Sequence, residues 1–221
     1  MDELRLRNYR TEPVREDVRA LLGAALSADW RQAFIARGYG WHIQVGALTT
    51  PIVGGGNGTV QDLEQPELAI NCPTGYCMVP LRINVQTQVG LQTTDAHESE
   101  IVIAVDRTQV QTAGTSTAEA PMNMRTDITT VCPFTAYSAY TADGVASPIL
   151  TELIRKQAVT DVQTAVGVNV YQFDLVYEPI NPLFIIGPGN ISVHFAGDIA
   201  TPGFIQASVL MFPSALLTGL N

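Results

Sequence analysis

The stretch MVPLRINVQTQVGL, residues 78 to 91, alternates apolar and polar side chains over most of its length. Leu81, Ile83 and Val85 fall on one side of the alternation. Arg82 and Asn84 fall on the other. Because successive side chains of a β-strand point to opposite faces of a sheet, the pattern predicts a long strand with one buried face.

Similar patterns elsewhere predict a mainly β fold. Three further segments alternate in the same way: EIVIAVDR (100–107), NVYQFDLVYEP (169–179) and NISVHFAGD (190–198). GFIQASVLMFP (203–213) is predicted to be a final strand that is apolar on both sides near its end. Shorter candidates are GWHIQVGAL (40–48), ELAIN (67–71), DITTVCPFTAY (127–137) and PLFIIG (182–187). The sequence therefore predicts about 8–10 antiparallel strands in a sandwich or barrel, with residues 39–221 as one domain.

Residues 1–38 are predicted to form a helical arm ahead of the β domain. Thr11 can cap a helix, apolar side chains follow at helical spacing, and Gly38 can end it. Such a helix either packs on its own domain or docks on a neighbouring subunit, and the sequence favours neither. The side chains available for a subunit contact are Val14, Val18, Leu21, Leu22, Trp30 and Phe34.

One short helix is predicted inside the β domain, at residues 148–157. Ser147 can cap it and Pro148 suits its first turn. Its buried stripe would consist of Ile149, Leu150, Leu153 and Ile154. The segment QTAGTSTAEAPMNM (111–124) is predicted to be a surface loop, because small and polar residues dominate it.

The composition favours a chain whose surface is covered by other protein. Charged residues make up 15% of the sequence, against about 25% in typical soluble proteins. A surface of threonine, glutamine, asparagine, serine and alanine indicates contact with further protein. The alternative is an ordinary β protein rich in threonine and glutamine. We expect a homo-oligomer.

Charge is unevenly distributed between the two predicted regions. Residues 1–38 contain seven arginines and six acidic residues, a net charge of +1. The remaining residues contain five basic and fifteen acidic residues, a net charge of −10. Because an acidic body repels phosphate and the arm is nearly neutral, we expect no direct binding of nucleic acid by the β domain.

The beginning of the chain, MDELRLRNYR, is charged and lacks the apolar region of a signal peptide. No apolar run reaches the roughly 18 residues that a membrane span needs. We therefore expect a protein made inside a cell, with neither a membrane span nor a disulfide framework.

The segment NCPTGYC, residues 71–77, is the first candidate for a metal site or a disulfide. Cys72 and Cys77 bracket a Pro-Thr-Gly turn. A zinc site needs a second pair of ligands, and Cys132 and the histidines are isolated in sequence. A disulfide that staples the turn is geometrically allowed if the two Cβ atoms approach to about 4 Å. We expect both cysteines to stay reduced, with the staple as the alternative in an oxidising environment.

The histidines do not form a recognisable catalytic set. DAHES (95–99) places His97 between two acids, but no G-x-S-x-G nucleophile motif is present, and a solvated turn is expected there. His42 lies in another predicted strand, and His194 is predicted with Ser192 on an outward strand face. The run VGGGNGTV (53–60) lacks the lysine of a phosphate-binding loop. We therefore expect no enzyme activity, no cofactor and no metal.

Tyrosines offer one alternative site, because aromatic rings can stack on sugars in a groove. The candidates are Tyr137, Tyr140, Tyr171 and Tyr177. Tyrosines on strand faces are more commonly half-buried packing residues, and we expect packing here.

The segment VYEPINPLFIIGPGNISVHFAGDIATPGFIQASVLMFPSALL, residues 176–217, resembles the end of virion proteins with a single jelly roll. In those proteins a proline- and glycine-rich turn separates two late strands, and a strand rich in alanine and serine completes the barrel. The resemblance implies a jelly-roll β-sandwich and carries over no catalytic or binding residue. Many small coat proteins have a strongly basic arm, and this chain does not. That departure favours a shell facing a membrane or another protein layer, or a decoration role.

The resemblance and the composition together predict a structural virion protein. It would be a capsid subunit of a virus or bacteriophage, located in the virion after assembly in the host cytoplasm. Lateral barrel contacts and the arm would build an icosahedral shell from copies of the chain, together with other virion proteins. The alternative is a receptor- or glycan-binding β-sandwich of a spike, fibre head or lectin.

Overall fold

The part of the chain that the structure describes is mainly β. The computed structural model describes residues 30–54, 61–90, 97–129, 131–142, 144–145, 148–160, 170–197 and 201–217. The elements are α1 (Trp30–Ala36), β1 (Gly40–Val45), β2 (Ile52–Val53), β3 (Leu68–Cys72), β4 (Tyr76–Gly90), β5 (His97–Asp106), β6 (Thr115–Glu119), β7 (Met122–Asn123), β8 (Ala136–Ala142), β9 (Leu150–Thr160), β10 (Val170–Tyr177), β11 (Ile185–Ile186), β12 (Gly189–Gly197), β13 (Pro202–Pro213) and a 3-10 helix (Ser214–Leu216). The prediction of a mainly β chain is confirmed.

The strands form two antiparallel sheets. Sheet 1 has the order β10-β4-β13-β1-β7, with β11 also paired to β4 and β2 to β13. Sheet 2 has the order β6-β8-β3-β12-β5-β9. Buried side chains of both sheets belong to one apolar cluster, so the sheets face each other in a sandwich-like arrangement.

Four strand pairs are nested within one another along the chain. β1 pairs with β13, β3 with β12, β4 with β10 and β5 with β9. Successive pairs alternate between sheet 1 and sheet 2. Pairing of β4 with β13 joins the two strand pairs of sheet 1, and pairing of β5 with β12 joins the two strand pairs of sheet 2.

The segment between β5 and β9 adds three strands to this frame. β6 and β8 extend sheet 2 beyond β3, and β7 extends sheet 1 beyond β1. Residues 111–124 therefore include two strands, and the prediction of a loop there is wrong. The side chains of β6 are exposed or half-buried on both faces, so its sequence carries no apolar alternation.

The shared core consists largely of the apolar faces that the alternation predicted. Ile191, Val193 and Phe195, which alternate with Ser192 and His194 along β12, belong to this core, and all three are fully buried. Ile43 of β1 in sheet 1 and Ile70 of β3 in sheet 2 belong to the same core cluster.

A β-bulge in β4 shifts the predicted alternation. The register between β4 and β13 slips between Ser208 and Val209. An extra residue changes the face that later side chains occupy. Leu81 therefore contacts a cluster on the outer face of sheet 1, whereas Ile83 faces the shared core.

The prediction of a helix at residues 148–157 is wrong, because most of this segment belongs to strand β9. The register between β9 and β5 slips between Ile103 and Ala104, and Leu153 is the extra residue. This bulge shifts the alternation by one position. Apolar residues before and after it consequently have the spacing of a helical stripe.

Gly38 ends α1 as predicted. It has φ +84 and donates its N–H to the carbonyl oxygen of Ile35 at 2.8 Å. Glycine adopts this left-handed conformation without the strain of a Cβ atom. The rest of the predicted arm, residues 1–29, lies outside the described residues, so the domain boundary at 38/39 stays a prediction.

Candidate interaction surfaces

The outer face of sheet 1 is covered by α1. Phe34 joins an apolar cluster with Cys77, Val79 and Phe212 of the sheet, and its ring centroid lies 4.8 Å from that of Phe212. Trp30 packs against the same cluster. Packing on the chain's own domain therefore holds for Trp30 and Phe34, and their contact with another subunit stays a prediction. The remaining predicted contact residues lie outside the described part of the chain: Val14, Val18, Leu21 and Leu22.

An exposed apolar patch lies beside α1. Ile180 is 91% exposed, and Phe184 and Ile186 are about half exposed. The Phe184 ring stacks on Trp30, with centroids 6.4 Å apart. We call Trp30, Ile180, Phe184 and Ile186 the α1 patch. Clustered exposed apolar side chains of this kind mark interaction surfaces.

Arg31 holds the segment that carries Ile180 against α1. Its Nη2 donates to the carbonyl oxygens of Pro179 at 2.8 Å and Ile180 at 3.3 Å. The Ile180 side chain is therefore presented to solvent by a segment that is hydrogen-bonded to the helix.

The thiols of Cys72 and Cys77 are free and lie in different apolar clusters. Cys72 belongs to the shared core between the sheets, and Cys77 belongs to the cluster beneath α1 on the outer face of sheet 1. Burial raises the pKa of Cys72 to about 11 and that of Cys77 to about 12. The predicted alternative of a turn staple is not formed here. Among the described residues, no group of three His, Cys, Asp or Glu side chains has the proximity that a metal ion needs.

A row of three buried polar side chains crosses the outer face of sheet 2. Asn71 of β3 lies opposite Asn190 of β12, which lies opposite Asp106 of β5. Asn71 Nδ2 donates to the Gln111 carbonyl oxygen at 2.8 Å, and the Gln111 N–H donates to Asn71 Oδ1 at 2.8 Å. Asn190 Nδ2 donates to the carbonyl oxygen of Gln109 at 2.9 Å. We call this row the polar clamp, because it fixes residues 107–111 over the sheet.

Asp106 is the charged member of the polar clamp. Its carboxylate accepts hydrogen bonds from the backbone of Thr108, Gln109 and Ile149. The Thr108 hydroxyl and the Gln109 amide also donate to it, at 2.6 Å and 3.0 Å. Burial is the largest single influence and would raise the pKa of Asp106, but these hydrogen bonds together hold the pKa below its ordinary value.

His194 lies two residues beyond Ser192 on the covered face of β12. Both side chains point away from the shared core, but they are buried rather than solvent-facing, which corrects the outward prediction. Burial lowers the pKa of His194 to about 4, and the backbone of Asp62 opposes that shift. Neither ring nitrogen makes a hydrogen bond of ordinary geometry within the described residues. A neutral imidazole is therefore the stable form at neutral pH.

Lys156 joins the two sheets at one edge of the sandwich. It lies on β9 of sheet 2, and its Nζ donates to the carbonyl oxygen of Asp174 on β10 of sheet 1 at 2.5 Å. The same ammonium group lies 4.8 Å from the centroid of the Phe173 ring. This is cation–π geometry.

One of the tyrosines considered for sugar stacking is buried in the structure. Tyr140 is 4% exposed, and its hydroxyl donates to the carbonyl oxygen of Thr112 at 2.8 Å. Burial raises the pKa of Tyr140 and of Tyr177. Packing is thus confirmed for Tyr140. The side chain of Tyr171 lies outside the described residues, and His97 begins β5 instead of lying in a turn.

The polar clamp was missed by sequence reasoning. Asn71 and Asp106 do stand at the ends of the apolar runs ELAIN and IVIAVD, which is the one available signal. Gln111, which bonds to Asn71, lies 40 residues further along the chain, and Ile149, which bonds to Asp106, lies 43 residues further along. Residue spacing alone cannot identify such pairs.

Known protein-family models and curated protein sequences contain no match to this chain. Within the described residues, no helix has both the length and the apolar character to cross a bilayer.

Proposed function

We propose that the chain is a structural subunit of a virus or bacteriophage particle and that its sandwich is a jelly roll. The nested pairing of eight strands carries the proposal. A jelly roll consists of eight antiparallel strands in two sheets, formed by two Greek keys. β1–β13, β3–β12, β4–β10 and β5–β9 provide eight such strands, with successive pairs in alternate sheets.

Virion proteins are one of three large groups that use jelly rolls, alongside lectins and cupins. A cupin function needs a metal-binding histidine set inside the barrel. His194 faces away from the shared core, and His42 bonds to Ser208 on the neighbouring strand at 3.4 Å. These placements favour a non-enzymatic role.

A lectin-like function is less well supported than a structural one. It would rely on stacking by Tyr137 or Tyr140, and the Tyr140 hydroxyl is buried against the backbone. Low charge and exposed apolar side chains, in contrast, are what a repeatedly contacted surface requires.

The α1 patch is the contact surface that we assign to assembly. It includes Trp30, the first of the described residues, whose ring stacks on Phe184. The helical arm predicted for residues 1–38 has apolar side chains at helical spacing, and these would bind the α1 patch of a neighbouring subunit. The subunit would act in the virion, after assembly in the host cytoplasm, with copies of itself and other virion proteins as partners.

Ile180→Asp tests this assignment. A carboxylate in the α1 patch should weaken self-association about tenfold or more, because buried apolar anchors dominate protein interfaces. Leu48→Asp is the matched control, since Leu48 is also 91% exposed but lies in the turn after β1. Sedimentation velocity over a concentration series measures the difference. Equal association of the two variants would contradict the placement of the contact at the α1 patch.

A further inference from the structure

His194 is a buried base beneath a segment without regular structure. It is 1% exposed, and within the described residues neither ring nitrogen has a hydrogen-bond partner of ordinary geometry. Residues 61–67, which we call the strap, precede β3 and contain neither helix nor strand. The backbone of Asp62 in the strap lies beside the imidazole. The strap therefore helps to separate His194 from water.

The strap is held less firmly than the strands around His194. β12 pairs with β3 over five residues and with β5 over eight. Residues 61–65 bond instead to a side-chain amide and a loop. Gln61 Nε2 donates to the carbonyl oxygen of Glu100 at 3.2 Å, and the Gly144 N–H donates to that of Glu64 at 3.1 Å. Surface segments open locally at a lower free energy than paired core strands, so water reaches the imidazole most readily when the strap is displaced.

Charged side chains stand around His194 on every element packed against it. They are Asp62 and Glu64 in the strap, Glu67 beside β3, and Arg155, Glu100 and Glu152 on the side of β5 and β9. Two of the carboxylates accept backbone N–H groups: Glu67 Oε2 that of Phe195 at 2.8 Å, and Asp62 Oδ1 that of Glu64 at 3.0 Å. Arg155 is bonded to Glu100 and Glu152. None of these side chains is hydrogen-bonded to the imidazole. An imidazolium in the closed fold would thus be a buried charge without a bonded partner, which is costly.

We propose that the strap is an acid-responsive cover, which uptake of a proton by His194 releases from the outer face of β12 while the two sheets stay paired. Release lets water solvate the imidazolium, and return of the strap expels the proton. Because the folded-state pKa of about 4 lies below the ordinary 6.5, the closed strap is fully favoured above pH 6.5 and loses this advantage as the pH falls toward 4. The inference is independent of the assembly role, since all of these groups belong to one chain.

Amide hydrogen exchange of the full chain at pH 7 and pH 4.5 tests the proposal. The Gly144 amide reports on release, because its acceptor is a strap carbonyl. After correction for the intrinsic exchange rate, its protection should fall about 50-fold between the two pH values, as the two pKa values require. The fall should depend little on low concentrations of urea, because local opening exposes little surface. The amides of β12 should need global unfolding, with its full urea dependence.

A Gly144 amide that is equally protected at both pH values would overturn the proposal. So would a loss of protection that depends on urea as steeply as that of the β12 amides, because acid would then unfold the whole chain rather than release the strap. Both outcomes are read from the wild-type protein and need no variant.

Variants assign the effect to one histidine. His194→Gln keeps a polar side chain that cannot take up a proton, so its Gly144 protection should agree between pH 7 and pH 4.5 within about twofold. His42→Gln is the matched control and should keep the 50-fold fall, because His42 is half-buried on β1 in the other sheet and bonds to Ser208. The same fall in His194→Gln as in wild type would show that another group releases the strap.

Discussion

The side-chain amide of Asn71 pairs with the backbone of Gln111 in the way that the backbone of a neighbouring strand would. Its side-chain amide gives one hydrogen bond to the Gln111 carbonyl and takes one from the Gln111 N–H, both at 2.8 Å. An asparagine thereby satisfies backbone groups that are buried above sheet 2 and have no strand beside them.

Asn71→Ala removes this pair of hydrogen bonds. Two buried backbone groups of Gln111 lose their partner, so we expect the free energy of unfolding to fall by about 2–4 kcal/mol. Urea denaturation measures the change. Asn84→Ala is the control, because Asn84 is half-buried on β4 in the other sheet, and it should cost less than about 0.5 kcal/mol. If the two variants were equally stable, the polar clamp would have no structural importance.

Asp106→Asn replaces an oxygen acceptor by an NH₂ group among donors from Thr108, Gln109 and Ile149. We expect a loss of about 2–3 kcal/mol at pH 7, as for hydrogen bonds to a charged group. The folded-state pKa of Asp106 lies below its ordinary value, so the unfolded chain takes up the proton first as the pH falls. The stabilisation should therefore be present above about pH 4 and be lost below it. A difference between wild type and Asp106→Asn that persisted unchanged at pH 2 would contradict this account.

His194 should make the protein lose stability on acidification at a higher pH than Asp106 does. Its folded-state pKa of about 4 lies below the ordinary 6.5, so between these values the unfolded chain binds a proton that the folded chain does not. Stability should fall by about 3 kcal/mol as the pH drops from 6.5 to 4. His194→Gln should flatten this decline in urea midpoint, and His42→Gln, which changes a half-buried histidine on β1, should retain it. The same decline in both variants would show that another group titrates.

Lys156→Met tests the link between the sheets. Loss of the hydrogen bond to Asp174 and of the contact with the Phe173 ring should lower the free energy of unfolding by about 1 kcal/mol. Arg82→Met removes a surface ion pair with Glu178 at 3.8 Å and should cost less than about 0.5 kcal/mol. A loss no larger for Lys156→Met than for Arg82→Met would mean that the edge is held by other contacts.

The long strands could be predicted because their apolar alternation is local. β4, β5, β10, β12 and β13 all lie within two or three residues of the segments predicted for them. Their partners, and hence the nested pairing, depend on contacts across the whole chain and could not be read from spacing.

Two classes of feature escaped prediction for physical reasons. Bulges at Leu81 and Leu153 change the sheet face to which the following side chains point. The bulge at Leu153 gives the apolar residues around it the spacing of a helical stripe. The far face of β12 lies against residues from distant parts of the sequence, with Gln109 bonded to Asn190 and the backbone of Asp62 beside His194. His194 and Ser192 therefore looked outward when only their own strand was considered.

The central claim is that this chain is a repeated structural subunit, and its size in solution tests that most directly. Sedimentation velocity across concentration, salt and pH, with electron microscopy of the heaviest fraction, is the measurement. We expect large oligomers that give closed particles of uniform diameter. A chain that stays monomeric at high concentration under all of these conditions would contradict the claim.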